Sequence, residues 1–471
     1  MKTTLERELK LDADANFALP DLGGEPLVPR TFTSTYHDTP DRRLLRSGIT
    51  LRRRVESRRG LWQLKLPSEA GRYELEQPGG PGGAPQAFLR LLPALLRGET
   101  RLEPVAKLRT NRAGIAVGDR TSRVEVVLDQ VRVFEGRRVL SAFAEVEAEV
   151  VAGDGVDLPA IGKALRKAGA RPGGDGSKLA RVLALERPEP ETSDDPRLRL
   201  HALLVDQYET MIANDPGVRL GEDAEALHQL RVATRRSRAL LRAARGLVSP
   251  EWTEPLRAEL AWLGALLGPV RDLDVLLEHL DGEAAELGAD DARAFRRLRS
   301  KLVAERNAAR TALLEAMDAE RYFRLLDTLE RAETAAGPDS STSLPEIAAS
   351  AFAEFRKAAK ALPKRPADSQ LHRVRIETKR ARYAAELAEP VLKKAGARFV
   401  RRAKVLQDVI GEHQDACVAE ERIRVLAARS GGKTALAAGR LVERQQLRKR
   451  AARRAYPAAW RALDKAGRAA F

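Results

Sequence analysis

A single cysteine, Cys417, stands in 471 residues. That excludes an intramolecular disulfide and leaves no cysteine cluster for zinc, and a reducing cytosol is the expected setting. Aromatic residues make up only 4% of the chain, which argues against single-stranded nucleic-acid binding, a mode that stacks bases on exposed rings. Long apolar runs are missing too. The most apolar early stretch, Ala87 to Leu96, is broken by Arg90 and Pro93 and falls far short of the roughly 20 residues a membrane helix needs. The opening residues, Met1 to Glu8, contain no apolar signal core, so a cytoplasmic protein with no membrane partner is expected.

What the chain does have is positive charge. Lysine and arginine total 83 against 67 acidic residues, a formal net charge of +16 with a pI near 10.1. Partners are therefore expected among polyanions, and at this level nucleic acid, an anionic membrane and polyphosphate all remain open. With 43% hydrophobic residues, a chain of this length builds two or three domains with substantial cores.

The segment Arg187–Pro196 carries three prolines and a run of acidic residues, as an exposed linker does. It divides the chain into a first domain over 1–186, a linker over 187–196 and a second domain over 197–471. Period-two alternation before the linker predicts eight strands, at 3–11, 30–38, 48–56, 60–67, 71–77, 104–117, 121–134 and 138–151. A Pro/Gly-rich loop over 78–85 and helices near 86–97, 157–169 and 177–186 complete that domain. After the linker, Ala/Leu/Arg-rich stretches predict helices throughout.

The second domain repeats itself. The segment from His228 through Arg231, Arg235, Arg236 and Arg238 returns as His372, Arg375, Lys379, Arg380 and Arg382, and the Gly268–Asp272 segment returns around Gly411–Asp415. Two pseudo-symmetric four-helix bundles are the simplest reading.

Glu6, Glu8 and Lys10 share one face of the first predicted strand, with Leu5, Leu9 and Leu11 on the other. Glu145, Glu147 and Glu149 repeat this in the last strand, Arg52 and Arg54 share a face in the third, and Glu74 and Glu76 in the fifth. A solvent-facing strand laced with salt bridges explains any one of these. Five carboxylates concentrated in two strands repel one another unless cations lie between them. An antiparallel barrel with charged faces inward and apolar faces outward resolves the repulsion. Oxygen ligands without histidine or cysteine suit Mg²⁺ or Mn²⁺. Such carboxylates facing guanidinium and ammonium groups form a site for a linear triphosphate.

On a helix, His228, Arg231, Arg235, Arg238 and Arg242 fall within a sector of about 80°. No acidic residue occurs from Leu227 to Arg242. An ordinary solvated helix face mixes signs, so this self-repulsion points to a polyanion that neutralises it. A further basic stretch contains Arg440, Arg444 and Arg448, which either completes the same basin or serves as a solubilising tail. Asp272, Asp274 and Asp415 are expected to pair with nearby arginines rather than to bind metal.

Several short motifs also resemble a known family. Glu6-x-Glu8-x-Lys10, Leu51-Arg52-x-Arg54, Trp62-x-Leu64-Lys65, Arg72-x-Glu74-x-Glu76, Arg109-Thr110-x-Arg112, Leu128-Asp129, Glu145-x-Glu147-x-Glu149 and Ser177-Lys178 look like the CYTH domain of the triphosphate tunnel metalloenzymes. The resemblance covers residues 1–185. It implies an eight-stranded antiparallel tunnel with flanking helices that hydrolyses inorganic triphosphate; thiamine triphosphatase and class IV adenylate cyclase activities occur on the same scaffold. Carried over by motif, Glu6, Glu8 and Glu147 hold the metal, with Glu145, Glu149 and Glu76 as second-metal or water-orienting groups. Lys10, Arg52, Arg54, Lys65, Arg112 and Lys178 clamp phosphate, although Arg109 and Arg112 compete for one of these places. Over 197–465, the His228/Arg231/Arg235/Arg236 and Gly268/Arg271/Asp272/Asp274 signatures resemble the CHAD domain. That implies an all-α polyphosphate-binding domain found at polyphosphate granules, and leaves as the alternative a non-catalytic polyphosphate-binding protein whose tunnel is a vestigial or accessory ligand site. The sequence leaves the oligomeric state open.

Overall fold

Alternating β-branched and polar residues form strands wherever one face can be buried. In the computed structural model, which describes all residues except 70, 98–100, 154–156, 174–176, 184–194, 246, 286–288, 332–342 and 429–431, the N-terminal strands are β1 (Lys2–Glu6), β2 (Glu8–Ala13), β3 (Glu25–Pro26), β4 (Arg30–Asp38), β5 (Thr50–Glu56), β6 (Arg59–Ser68), β7 (Gly71–Pro78), β8 (Glu103–Gly118), β9 (Arg123–Glu135), β10 (Arg138–Ala152) and β11 (Arg171–Pro172). They pair antiparallel in the order β1-β7-β6-β5-β4-β8-β9-β10-β2-β11, with β3 on β8.

The expected strand over 3–11 is broken at Arg7, and the break closes the barrel. β1 pairs with β7 and β2 pairs with β10, which lie near opposite ends of the strand order, so one extended segment joins both edges. The Arg7 carbonyl accepts a bond from the Val150 amide at 3.0 Å. Gly71, at φ +142°, permits the close approach, because a Cβ there would lie 2.1 Å from the Glu6 carbonyl oxygen.

Among the described residues, four helices flank the sheet: α1 (Arg43–Arg46), α2 (Gln86–Leu89), α3 (Leu158–Lys167) and α4 (Lys178–Leu183). The helix expected over 86–97 ends early. Leu91, Leu92 and Leu95 instead bond three residues back, as tight turns do around Pro93, which has no amide hydrogen to donate. The Asp157 side chain caps α3 by accepting from the Ala160 amide at 3.0 Å. Ile161 and Leu165 then cover Leu11, Val124, Val126, Val146 and Ala148 on the outside of the sheet, which leaves the charged faces to enclose the lumen.

The rest of the described chain is helical: α5 (Pro196–Leu220), α6 (Ala224–Ala243), α7 (Pro250–Ala285), α8 (Ala289–Met317), α9 (Glu320–Glu330), α10 (Leu344–Lys360), α11 (Asp368–Leu387), α12 (Glu389–Ala427) and α13 (Lys433–Ala470). One core joins Phe352, Phe355, Leu371, Phe399 and Leu463 from α10 to α13. Another joins Leu276 and Leu280 of α7, Leu302 of α8, Ile423 of α12 and Leu441 of α13. The long helices α12 and α13 therefore serve both cores with opposite halves. On α6, Leu227, Leu230, Thr234 and Leu241 are all buried, as the stripe on the other side of the helix requires. The architecture is an antiparallel tunnel followed by an all-helical region, as expected. Of the expected linker, 187–194 lie outside the described residues.

Candidate active site and anion-binding cavity

Strand register assembles the tunnel site. Tyr36, Arg52, Gln63 and Glu76 lie side by side across β4, β5, β6 and β7. Arg52 donates to Gln63 Oε1 at 2.8 Å and to the Tyr36 hydroxyl at 3.2 Å, while Gln63 donates to Glu76 at 2.7 Å. Lys65 reaches Glu6 at 2.6 Å and Glu74 at 3.5 Å. On the facing wall, Arg112 grips Asp129 with two bonds of 2.7 Å and also meets Glu147.

Ten of the twelve tunnel residues picked from sequence line one cavity of about 150 Å³: Glu6, Lys10, Arg52, Arg54, Lys65, Glu76, Arg112, Glu147, Glu149 and Lys178. Glu8 and Glu145 stand one contact behind it. Glu8 lies 3.3 Å from Lys10, and Glu145 is ion-paired with Lys178. The competition between Arg109 and Arg112 is resolved by alternation, because Arg112 faces the lumen whereas Arg109 lines a separate pocket with Thr33, Lys107 and Arg137. Sequence reasoning missed Gln63, Tyr36 and Glu125 as lining residues; strand register brings them there, the first two beside Arg52 and Glu125 opposite Glu149.

The lumen holds carboxylates under opposing pressures. Burial favours the protonated form of Glu147, yet Lys178, Lys10 and Arg112 hold it well below the ordinary range. Glu6 and Glu145 are raised, chiefly by burial. Burial and the Glu6 charge push Glu149 up to about 7. A folded pKa above the unfolded value means that the folded state binds the extra proton, so this contribution to stability is complete at low pH and disappears as pH rises through 7. In EDTA, thermal unfolding is therefore expected to show Glu149→Gln matching the parent at pH 4 and exceeding it at pH 8.

Oxygen atoms of Asp129, Glu145 and Glu147 converge to within 4.8 Å of one another, and all three residues are buried. Lys178 occupies their midst, 3.0 Å from Asp129 and 2.7 Å from Glu147. These carboxylates offer the oxygen donors a hard divalent cation takes, and such a cation would displace the Lys178 ammonium that now neutralises them beside Arg112. Among the described residues, Glu147 thus converges with Asp129 and Glu145, not with the expected Glu6 and Glu8. A second group, Asp368, His413 and Cys417, also lies within ligand distance. There Lys449 and Arg453 pair with Asp368, and burial and Asp368 push the thiol up to about 11, so ion pairing already accounts for it.

The helical unit builds its own cavity, about 620 Å³, from both repeats. His228, Arg231 and Arg235 of α6 face it with His372, Arg375 and Lys379 of α11; Arg271 and Asp272 of α7 match Gln414 and Asp415 of α12; and Arg448 enters from α13. Three carboxylates temper the charge: Asp272, 2.8 Å from Arg231; Glu412, 2.8 Å from Arg448; and Asp415. The expected arginine pairing is seen for Asp272 and for Asp274, which lies 2.7 Å from Arg306.

Other predicted cations do not reach this cavity. Arg236 and Arg382 pair with Glu386, Arg444 pairs with Glu283 at 2.6 Å, and Arg238 and Arg440 are exposed. Arg242 and Arg380 line a different pocket of about 390 Å³. His279 was missed, although it lies one and two turns beyond Val275 and Asp272 on α7 and shares their face.

Comparison with known proteins matches the CYTH domain to residues 4–183 and the CHAD domain to residues 202–424. An uncharacterised protein of Mycobacterium tuberculosis, found in two strains, is 33% identical over 99% of this chain and 98% of its own length. PptA from Streptomyces chartreusis is 26% identical, covering 57% of this chain and all of that chain, with a TM-score of 0.50. The CHAD domain from the plant Ricinus communis is 27% identical over 57% of this chain and 96% of that chain, with a TM-score of 0.45.

Proposed function

This chain belongs to the proteins that carry a CYTH domain followed by a CHAD domain, and we propose that its tunnel hydrolyses inorganic triphosphate to pyrophosphate and phosphate while its helical cavity binds inorganic polyphosphate. The observation that carries this reading is the lumen itself, where Lys10, Arg52, Arg54, Lys65, Arg112 and Lys178 surround one enclosed space beside converging carboxylates. The cations neutralise phosphate oxygens and align the chain, which is most of what phosphoryl transfer asks of a protein. Asp129, Glu145 and Glu147 would hold Mg²⁺ or Mn²⁺, with Glu6, Glu8, Glu149 and Glu76 supporting. A bound ion of this kind stabilises charge on the transferring group and lowers the pKa of a coordinated water.

A bare triphosphate suits the walls better than a nucleotide. The aromatic rings lining the lumen are already engaged: Arg54 stacks 3.8 Å over Phe32, and Arg52 bonds the Tyr36 hydroxyl. Among the described lining residues, none is left to stack on a base. In the helical unit, arginines and histidines from both repeats provide charge-assisted donors for a phosphate chain. No helix among the described residues is long and apolar enough to cross a membrane, and we place the protein in the cytoplasm at polyphosphate granules.

Phosphate release from tripolyphosphate, ATP and thiamine triphosphate, measured side by side with Mg²⁺, Mn²⁺ or EDTA, tests the reading. Tripolyphosphate is expected to turn over fastest and EDTA to stop it. Faster ATP turnover contradicts the substrate assignment. No turnover at all, with polyphosphate still bound, reduces the tunnel to an accessory binding site.

A further inference from the structure

Lys379 differs from the other cations around the helical cavity. It lines the wall from α11 and has no ion-pair partner among the described residues. Arg375 on its own helix, Arg235 and Arg231 on α6, and Arg382 one turn on surround it with like charge. The facing carboxylates are committed elsewhere: Asp272 of α7 to Arg231, Glu412 of α12 to Arg448 of α13, and Asp415 of α12 to balancing Arg375. Arg271 and His279 of α7, with His228 of α6 and His372 of α11, complete the titratable and charged lining.

Arginine keeps its proton at any accessible pH, whereas a lysine in such surroundings can release one. Repulsion among these cations is therefore relieved at Lys379. Burial first, and then Arg375, Arg235, Arg231 and Arg382, hold its ammonium down to about 7.

We propose that a phosphate chain entering this cavity drives a proton onto Lys379, so that the cavity takes up polyanion and proton together. This rests on the polyphosphate-binding reading given above and adds the residue that couples binding to pH. Negative charge beside the amine restores the ordinary preference of lysine for its charged form. Affinity then falls as pH rises, by about 50-fold between pH 7 and pH 9 for a group moving from about 7 to its usual range.

Calorimetric titration of the full chain with medium-length inorganic polyphosphate at pH 8, in buffers of different ionisation enthalpy, reads the proton directly. The parent protein is expected to take up about 0.9 proton more than Lys379→Arg, which keeps the charge but cannot titrate. Tunnel carboxylates and cavity histidines contribute equally to both proteins and cancel in the difference. Lys379→Gln, a neutral mimic, serves the same comparison if the larger arginine weakens binding. Equal uptake by the parent and by either variant overturns the proposal. Absence of polyphosphate binding by the parent overturns instead the reading on which it rests.

Discussion

Glu147→Gln is expected to leave about a thousandth or less of the metal-dependent triphosphate hydrolysis, as loss of a central electrostatic group does in a preorganised site. Glu147 is where the two halves of the site meet: it touches Lys10 at 3.3 Å, Lys178 at 2.7 Å and Arg112, and it converges with Asp129 and Glu145. Glutamine keeps the volume and one acceptor but removes the charge that holds three cations in register and contributes to the metal set. The barrel survives the change. Lys178 retains Asp129 and Glu145, Arg112 retains both bonds to Asp129, and Lys10 retains Glu8. Phosphate-release kinetics with Mg²⁺ or Mn²⁺ provide the readout, and an unchanged circular dichroism spectrum and melting profile of the purified variant are the control for folding. Activity within about tenfold of the parent would show that the chemistry does not pass through this lumen.

The second large effect belongs to the helical cavity. Arg231→Ala with Arg375→Ala, one change in each repeat, is expected to weaken polyphosphate binding by about 10²- to 10⁴-fold, since a hydrogen bond to a charged group is worth about 1.5–3 kcal/mol. It should also reduce the slope of log affinity against log salt by about two, one for each lost phosphate contact. Stability changes little, because the carboxylates left behind, Asp272 beside Arg231 and Asp415 beside Arg375, are both exposed to solvent. Binding measured over a salt series checks both numbers. An unchanged slope means that the phosphate chain lies elsewhere.

The tunnel was legible in the sequence because strand alternation is a local code. Charged faces on four of the eight expected strands were enough to place Glu147 and Arg52 toward one interior, whereas Lys65 came from the family resemblance. Register across strands is not local, so Gln63, which bridges Arg52 and Glu76, stayed hidden until the pairing was known. The break at Arg7 was equally invisible, since it arises from one segment serving two neighbours. Convergence of Asp129 with Glu145 and Glu147 depends on the β9–β10 register, in which Asp129 opposes Glu145.

In the helical region, angle was readable and distance along the axis was not. Arg242 shares the angular sector of Arg235 but lies two turns further on, about 10 Å at 1.5 Å per residue, and so it lines another pocket. Arg236 falls outside the sector and is taken by Glu386. The matched repeats did foretell that His228 and His372 belong together, because a duplicated surface motif is most simply buried against its copy.

The central claim is that carboxylates and cations inside the tunnel form one metal-dependent triphosphate site. Crystals of the full chain grown with Mn²⁺ and the imido analogue of triphosphate test it most directly, through anomalous scattering from the metal. The account predicts manganese bound by Asp129, Glu145 and Glu147, with the phosphate chain against Lys10, Arg52 and Arg112. A tunnel empty of both, with the analogue bound only among the helices, contradicts it.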